Sequence, residues 1–324
     1  MNIDAIRAAA QRLDGHARKT PLLSSPFLDE IAGRRVLIKA ECLQHTGSFK
    51  FRGGRAAISA LSKDIRAKGV IAFSSGNHAQ GVALAAQDFD IPAVILMPSD
   101  TPRLKVENTR SYGAEVVFFD RATDDRDAIC DDLAKARGLT LIRPYDDAEV
   151  IAGQGTVGLE IAAQAAQLGI EAAEVLVPCG GGGLTSGIAL SLEADAPKMR
   201  VRPVEPERFD DVARSLESGC IQSNTEKAGS ICDAIITSQP GNLTFPILHR
   251  LCGSGLAVSE EDCLRSMALA FARLKIVIEP GGAVALAAAL FHPDKITGDT
   301  VIVVATGGNV DTPMFTRALE AMTP

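Results

Sequence analysis

Thr46-Gly47-Ser48-Phe49-Lys50-Phe51-Arg52-Gly53-Gly54 sets one lysine between two phenylalanines, with small residues on both flanks. An apolar setting disfavours the ammonium form, so a lysine held there has a lowered pKa and becomes a usable nucleophile and base. Glycine lets the backbone and a bound group approach closely. Together these features suit a lysine that condenses with an aldehyde cofactor. Taken alone, the stretch also fits a solvated lysine whose stem packs on an apolar helix start. The rest of the chain decides between the two.

Just before this stretch, Val36–Lys39 reads as a short strand, and Lys50 falls near the start of a helix through Ala57 and Leu61. Asp4–Leu13 has the spacing of an amphipathic helix. Val70–Phe73, Ala93–Met97 and Glu115–Phe119 read as strands, separated by helices ending near Ala86 and Tyr112 and followed by one over Thr123–Ala136. After Pro144 the pattern resumes. Gly153-Gln154-Gly155-Thr156 precedes a helix to Leu168, and Val175–Pro178 is a strand running into Gly180-Gly181-Gly182-Gly183 and another helix. Val201–Val204 is a strand, Ser218–Asn242 is polar and shows no period, Glu260–Lys275 is a long helix, and Val301–Ala305 is the last strand. Strands alternating with helices predict βαβ units and parallel sheets, an α/β fold of two lobes. In such folds ligands sit at the carboxyl ends of strands. Three strand-end loops of unusual chemistry obey that rule: residues 74–78, 180–183 and 306–309.

Four glycines between a buried strand and a helix form a cradle for phosphate, with backbone N–H groups and the helix N-terminus aimed at the anion. A flexible turn is the plain alternative. A dinucleotide fingerprint, and with it a nucleotide-dependent oxidoreductase, is the rival from another class. It fits less well, because Thr185 stands where the third glycine of G-x-G-x-x-G belongs. Ser74-Ser75-Gly76-Asn77-His78 offers hydroxyls and free amides to a carboxylate, and Asn77 can bond a phenolic oxygen; an ordinary N-cap uses the same residues. Thr306-Gly307-Gly308-Asn309 puts a hydroxyl at a strand end. Glu205 and Asp211 offer hard oxygen ligands to a divalent cation, with a backbone carbonyl between them. On spacing alone a solvated acidic loop fits them as well.

Composition narrows the class. The chain has 324 residues, 46% hydrophobic, and a net charge of −7 without a Lys/Arg cluster, which argues against a nucleic-acid partner. Seven scattered cysteines with no C-x-x-C pair indicate neither a disulfide framework nor a zinc site, and a reducing cytoplasm is the expected compartment. Met1–Arg18 lacks the apolar core of a signal peptide, and the apolar run Ala283–Phe291 is too short to span a bilayer.

Ser48–Gly53, Ser74–His78, Gly180–Gly183 and Thr306–Asp311 occur in the order found in the fold type II pyridoxal-phosphate enzymes. The chain resembles the serine/threonine dehydratase and serine racemase branch from about Thr20 to Asp311, with 3-hydroxyaspartate dehydratase within that range. The resemblance implies two open-sheet α/β domains of the tryptophan synthase β-like kind: residues 1–68 and 147–324 as a large domain binding pyridoxal 5′-phosphate, and residues 69–146 as a small mobile domain covering the substrate. It implies that Lys50 is the Schiff-base lysine and that Phe49 packs beside the cofactor ring. Asn77 would bind the ring hydroxyl, Gly180, Gly181, Gly182 and Gly183 the phosphate, and Thr306 would face the ring nitrogen. Ser74, Ser75, Asn77 and His78 would hold the substrate carboxylate, with Ser75 as acid/base on the face opposite Lys50 in racemase-like members. Glu205, Phe209 (through its carbonyl) and Asp211 match the branch's site for Mg2+, Mn2+ or Ca2+. A homodimer is implied, and feedback control by isoleucine is not expected, since no regulatory extension follows. The expected reaction is loss of water and then ammonia from serine, threonine or 3-hydroxyaspartate, with racemisation as the alternative. Arg126 or Arg143 could pair with a second substrate carboxylate. The sequence departs from its relatives at Arg143–Asp146, at Ser238–Asn242 and at Glu279–Gly282, positions expected to line the substrate side chain.

Overall fold

The computed structural model describes residues 1–321 apart from Ser75, Pro102 and Arg121. Among the described residues, ten strands form two sheets. They are β1 (Leu22–Ser24), β2 (Arg35–Lys39), β3 (Val70–Phe73), β4 (Ala93–Pro98), β5 (Glu115–Phe119), β6 (Thr140–Leu141), β7 (Ala173–Pro178), β8 (Met199–Pro206), β9 (Leu256–Val258) and β10 (Thr300–Val304). The six-stranded sheet has the order β1-β2-β10-β7-β8-β9 and the four-stranded sheet the order β5-β4-β3-β6. All neighbours are parallel except β1 and β2.

Strand period 2 explains how the larger sheet is covered on both faces. Val36, Ile38, Val301 and Val303 point to one side, where they meet the helix Pro280–Phe291. Leu37, Ile302 and Val304 point to the other, onto the helices Ala148–Gln167 and Gly183–Asp195. The helix Pro280–Phe291 is apolar all round and buried from Pro280 to Leu290, so it forms the centre of the core rather than an amphipathic surface. In the smaller sheet Val70 and Ala72 pack with Val82 and Ala86 on one face, and Ile71 packs with Leu96 and Cys130 on the other.

Two expectations are corrected. Gly153-Gln154-Gly155-Thr156 does not precede its helix but lies inside it, because the helix starts at Ala148 under the Asp147 cap. The helix expected from Thr123 begins at Arg126, where the Asp125 side chain accepts from the amides of Asp127 and Ala128. Residues 219–243 contain neither helix nor strand, in keeping with their polar, aperiodic sequence. Among the described residues no helix is long and apolar enough to cross a membrane.

Candidate active site

Lys50 is the first residue of the helix Lys50–Ala60. The loop before it is tied to the end of β10: the Cys42 amide donates to Ala305 O, the Phe49 amide to Thr306 O at 3.1 Å, and the Gly308 amide to Gly47 O at 2.9 Å. Two residues into the helix, Arg52 is buried between two carboxylates, bonding Glu41 at 2.8 Å and Glu160 at 2.7 Å, while Lys39 bonds Glu160 at 2.6 Å. That buried network fixes the start of the helix and hence the base of the Lys50 side chain.

The side chain of Lys50 is half-buried and lines a cavity of about 710 Å3. Its Nζ donates to Pro144 O at 2.8 Å and lies 5.1 Å from the Phe49 ring centroid. Loss of solvent, opposed by the charge of Glu279, brings its pKa down to about 8. Phe49, Ser74, Asn77, His78, Gly180–Gly183 and Thr306 line the same cavity. Ser75 lies outside the described residues.

Asn77 and His78 open the helix Asn77–Asp88. Asn77 Nδ2 donates to Glu279 Oε1 at 2.6 Å, and Asn77 Oδ1 accepts from Asn309 Nδ2 at 2.7 Å, so its amide plane is fixed while one N–H remains for a ligand. Burial pushes the Glu279 carboxyl up to about 7. His78 Nε2 bonds Ile142 O at 2.9 Å, and burial, with the nearby positive charge of Lys50, pushes its imidazole down to about 3. It is therefore neutral, and its buried Nδ1 has no partner among the described residues.

The four glycines are required by their surroundings. A Cβ on Gly180 would sit 2.8 Å from Ile235 O, and one on Gly181 would sit 2.3 Å from the Tyr145 ring. Gly182 caps the next helix at φ +90°, a left-handed conformation that favours glycine. Gly181 O is held by the Thr244 hydroxyl at 2.7 Å and by the Gly241 amide. The amides of Gly180, Gly181 and Gly182 donate to no described residue and stand at a helix N-terminus, the arrangement an anion needs.

The acidic loop is separate. Glu205, buried, accepts from the amides of Val212 and Ala213 at 2.9 and 2.8 Å. Asp211 Oδ1 accepts from Asn224, and its buried Oδ2 has no partner among the described residues. Burial raises both carboxyls, Asp211 to about 7. Phe209 is buried in the turn between them. Among the described residues no three His, Cys, Asp or Glu side chains are grouped to hold a metal, so any cation here would rely on two carboxylates and a carbonyl.

Glu279 and the Pro144 carbonyl were not singled out for these contacts by sequence. Their partners lie 202 and 94 residues away, so the sequence marked Arg143–Asp146 and Glu279–Gly282 as segments lining the substrate without showing what these two groups touch.

A poised amine, a bare-backbone anion cradle and a strand-end hydroxyl around one cavity, on two open α/β sheets, define a fold type II pyridoxal-phosphate enzyme. The family model for pyridoxal-phosphate dependent enzymes matches residues 13–307, and the chain belongs to that family. Within it, the chain is similar to the L-threo-3-hydroxyaspartate ammonia-lyase of a Pseudomonas species, at 44% identity over 98% of each chain. Among solved structures, a threonine deaminase from T.th. matches with TM-score 0.90 and 44% identity, covering 96% of this chain and 99% of that one. Maize serine racemase matches with TM-score 0.92 and 35% identity, covering 98% and 97%.

Proposed function

We propose that this enzyme is an ammonia-lyase that converts a β-hydroxy amino acid, of the class of serine, threonine and 3-hydroxyaspartate, to a 2-oxo acid and ammonia. The observation that carries the reading is the Lys50 amine, lowered to about 8, facing the same cavity as the free amides of the glycine run and the fixed amide of Asn77. The glycine amides fit the phosphate of pyridoxal 5′-phosphate, Asn77 its ring hydroxyl and Thr306 its ring nitrogen. When bound, the cofactor withdraws electrons from the substrate α-carbon and so stabilises the charge left by proton loss. Ser74, Asn77 and His78 hold the substrate carboxylate at a helix N-terminus. Lys50 takes the α-proton at Nζ, and the β-hydroxyl leaves with the electron pair of its carbon–oxygen bond. One water is lost in elimination and one is taken up in hydrolysis, so the net products are the 2-oxo acid and ammonia.

Release of 2-oxo acid and ammonia from a panel of hydroxy amino acids tests the reading. Lys50→Ala is expected to abolish turnover and the visible absorbance of the bound cofactor; persistence of both would overturn it. Racemisation needs a second acid/base opposite Lys50. Chiral analysis of recovered serine, with D-serine formed faster than oxo acid, would shift the reading to a racemase.

Glu205, Asp211 and the Phe209 carbonyl fit a divalent cation, supported by the orphaned Asp211 oxygen. A chelator that leaves the melting temperature unchanged would remove it. The reading also includes a homodimer in a reducing cytoplasm. All seven cysteines are free, and Phe27, Ile31 and Phe271 are exposed apolar side chains on neighbouring helices. A monomer mass by light scattering would contradict the dimer.

A further inference from the structure

Besides Lys50, three cations among the described residues line the cavity: Lys105, Arg126 and Arg143. Lys105 is paired with Asp233 at 3.1 Å. Arg126 grips Asp127 through Nη2 at 2.9 and 3.0 Å and lies over the Phe73 ring at 4.1 Å. Arg143 has no hydrogen-bond or ion-pair partner among the described residues. Asp146, three residues on, already accepts from the amides of Asn242 and Leu243.

The backbone at Arg143 is held on both sides by the site itself. Ile142 O bonds the His78 ring, and Pro144 O accepts from Lys50 Nζ. The guanidinium is thus based between the helix N-terminus suited to one carboxylate and the reacting amine. It is exposed toward the cavity and free to form a two-pronged bond. An uncompensated guanidinium in a cleft draws an anion.

We propose that Arg143 receives a second carboxylate on the substrate and makes the enzyme selective for a β-hydroxy dicarboxylic amino acid over serine and threonine. This inference rests on the lyase reading above. Oxo-acid release by the holoenzyme is measured with L-threo-3-hydroxyaspartate and with L-serine, for wild type, Arg143→Met, Arg143→Lys and Arg126→Met. For Arg143→Met, kcat/KM on the dicarboxylic substrate is expected to fall roughly 10- to 100-fold, the loss of a charge-assisted pair, with serine within about 2-fold. Arg143→Lys is expected to recover part of the loss. Equal losses on both substrates, no loss on the dicarboxylic one, or a loss carried by Arg126→Met instead would overturn the assignment.

Calorimetric titration of the holoenzyme with succinate, against acetate, separates this inference from the reading beneath it. If the wild type turns over no hydroxy amino acid yet binds succinate, and Arg143→Met does not, the lyase reading fails and the arginine subsite stands. Succinate that fails to bind, or binds both proteins alike, overturns the subsite whatever the turnover.

Discussion

Lys50 owes its chemistry to a tension between charge and burial. The ordinary lysine value is 10.5 and the folded value about 8. Between those pH values the unfolded chain binds more protons than the folded one, so stability rises with pH across that window. Below pH 8 the cost of the half-buried ammonium is present in full. Without cofactor, Lys50→Met is therefore expected to melt a few degrees above wild type at pH 7. The gap should narrow as pH passes 8 and approaches 10.5. Thermal unfolding at several pH values checks this, and a gap independent of pH would show that desolvation is not its cause. Lys50, Asn77 and the glycine run could be picked out from the sequence because each sits in a short stretch of distinctive composition, and the structure brings all three to one cavity. The bond of Glu279 to Asn77 and the unpaired state of Arg143 could not be, since both depend on which distant groups arrive beside them.

Elements were legible wherever apolar period and capping residues agreed, as in β3, β4 and the helix Glu260–Leu274. The Gly-Gln-Gly-Thr run misled because glycine has two uses. In a turn it supplies unusual dihedrals, whereas inside the helix Ala148–Gln167 it lets another backbone come close. A Cβ on Gly153 would lie 2.5 Å from both Ala56 Cβ and Arg52 O. Helix propensity alone would make Gly153→Ala stabilising by about 1 kcal/mol. The clash is with backbone, which cannot swing aside, and overpacking of this kind costs typically 1–3 kcal/mol. The clash should win, giving a net loss of about 1 kcal/mol in urea unfolding. Because Arg52 is two residues from Lys50, kcat should fall as well. A variant more stable than wild type would refute the close-packing account.

At the scale of the whole molecule, the sequence announced parallel α/β lobes but not which strands share a sheet. β2 stands early in the chain yet pairs with β10, with Val36 opposite Val301, so the larger sheet is closed by contacts no local window contains. The site inherits this division. Ser74, Asn77 and His78 follow β3 of the smaller sheet, Gly180–Gly183 and Thr306 follow β7 and β10 of the larger one, and Lys50 opens a helix whose Phe51, Ala57 and Ile58 pack in the core of the smaller sheet. A ligand held by both groups would tie the two sheets together, and residues 69–146 are proposed as the unit that moves. If that unit closes as a body, succinate bound to the holoenzyme should slow amide hydrogen exchange beyond the residues it touches. Protection is expected across β4, β5 and the helix Arg103–Ser111, with the helix Pro280–Phe291 unchanged because it already lies at the centre of the core. Slowing confined to residues 76–78 would mean that the ligand merely covers its own donors and that the smaller sheet does not move.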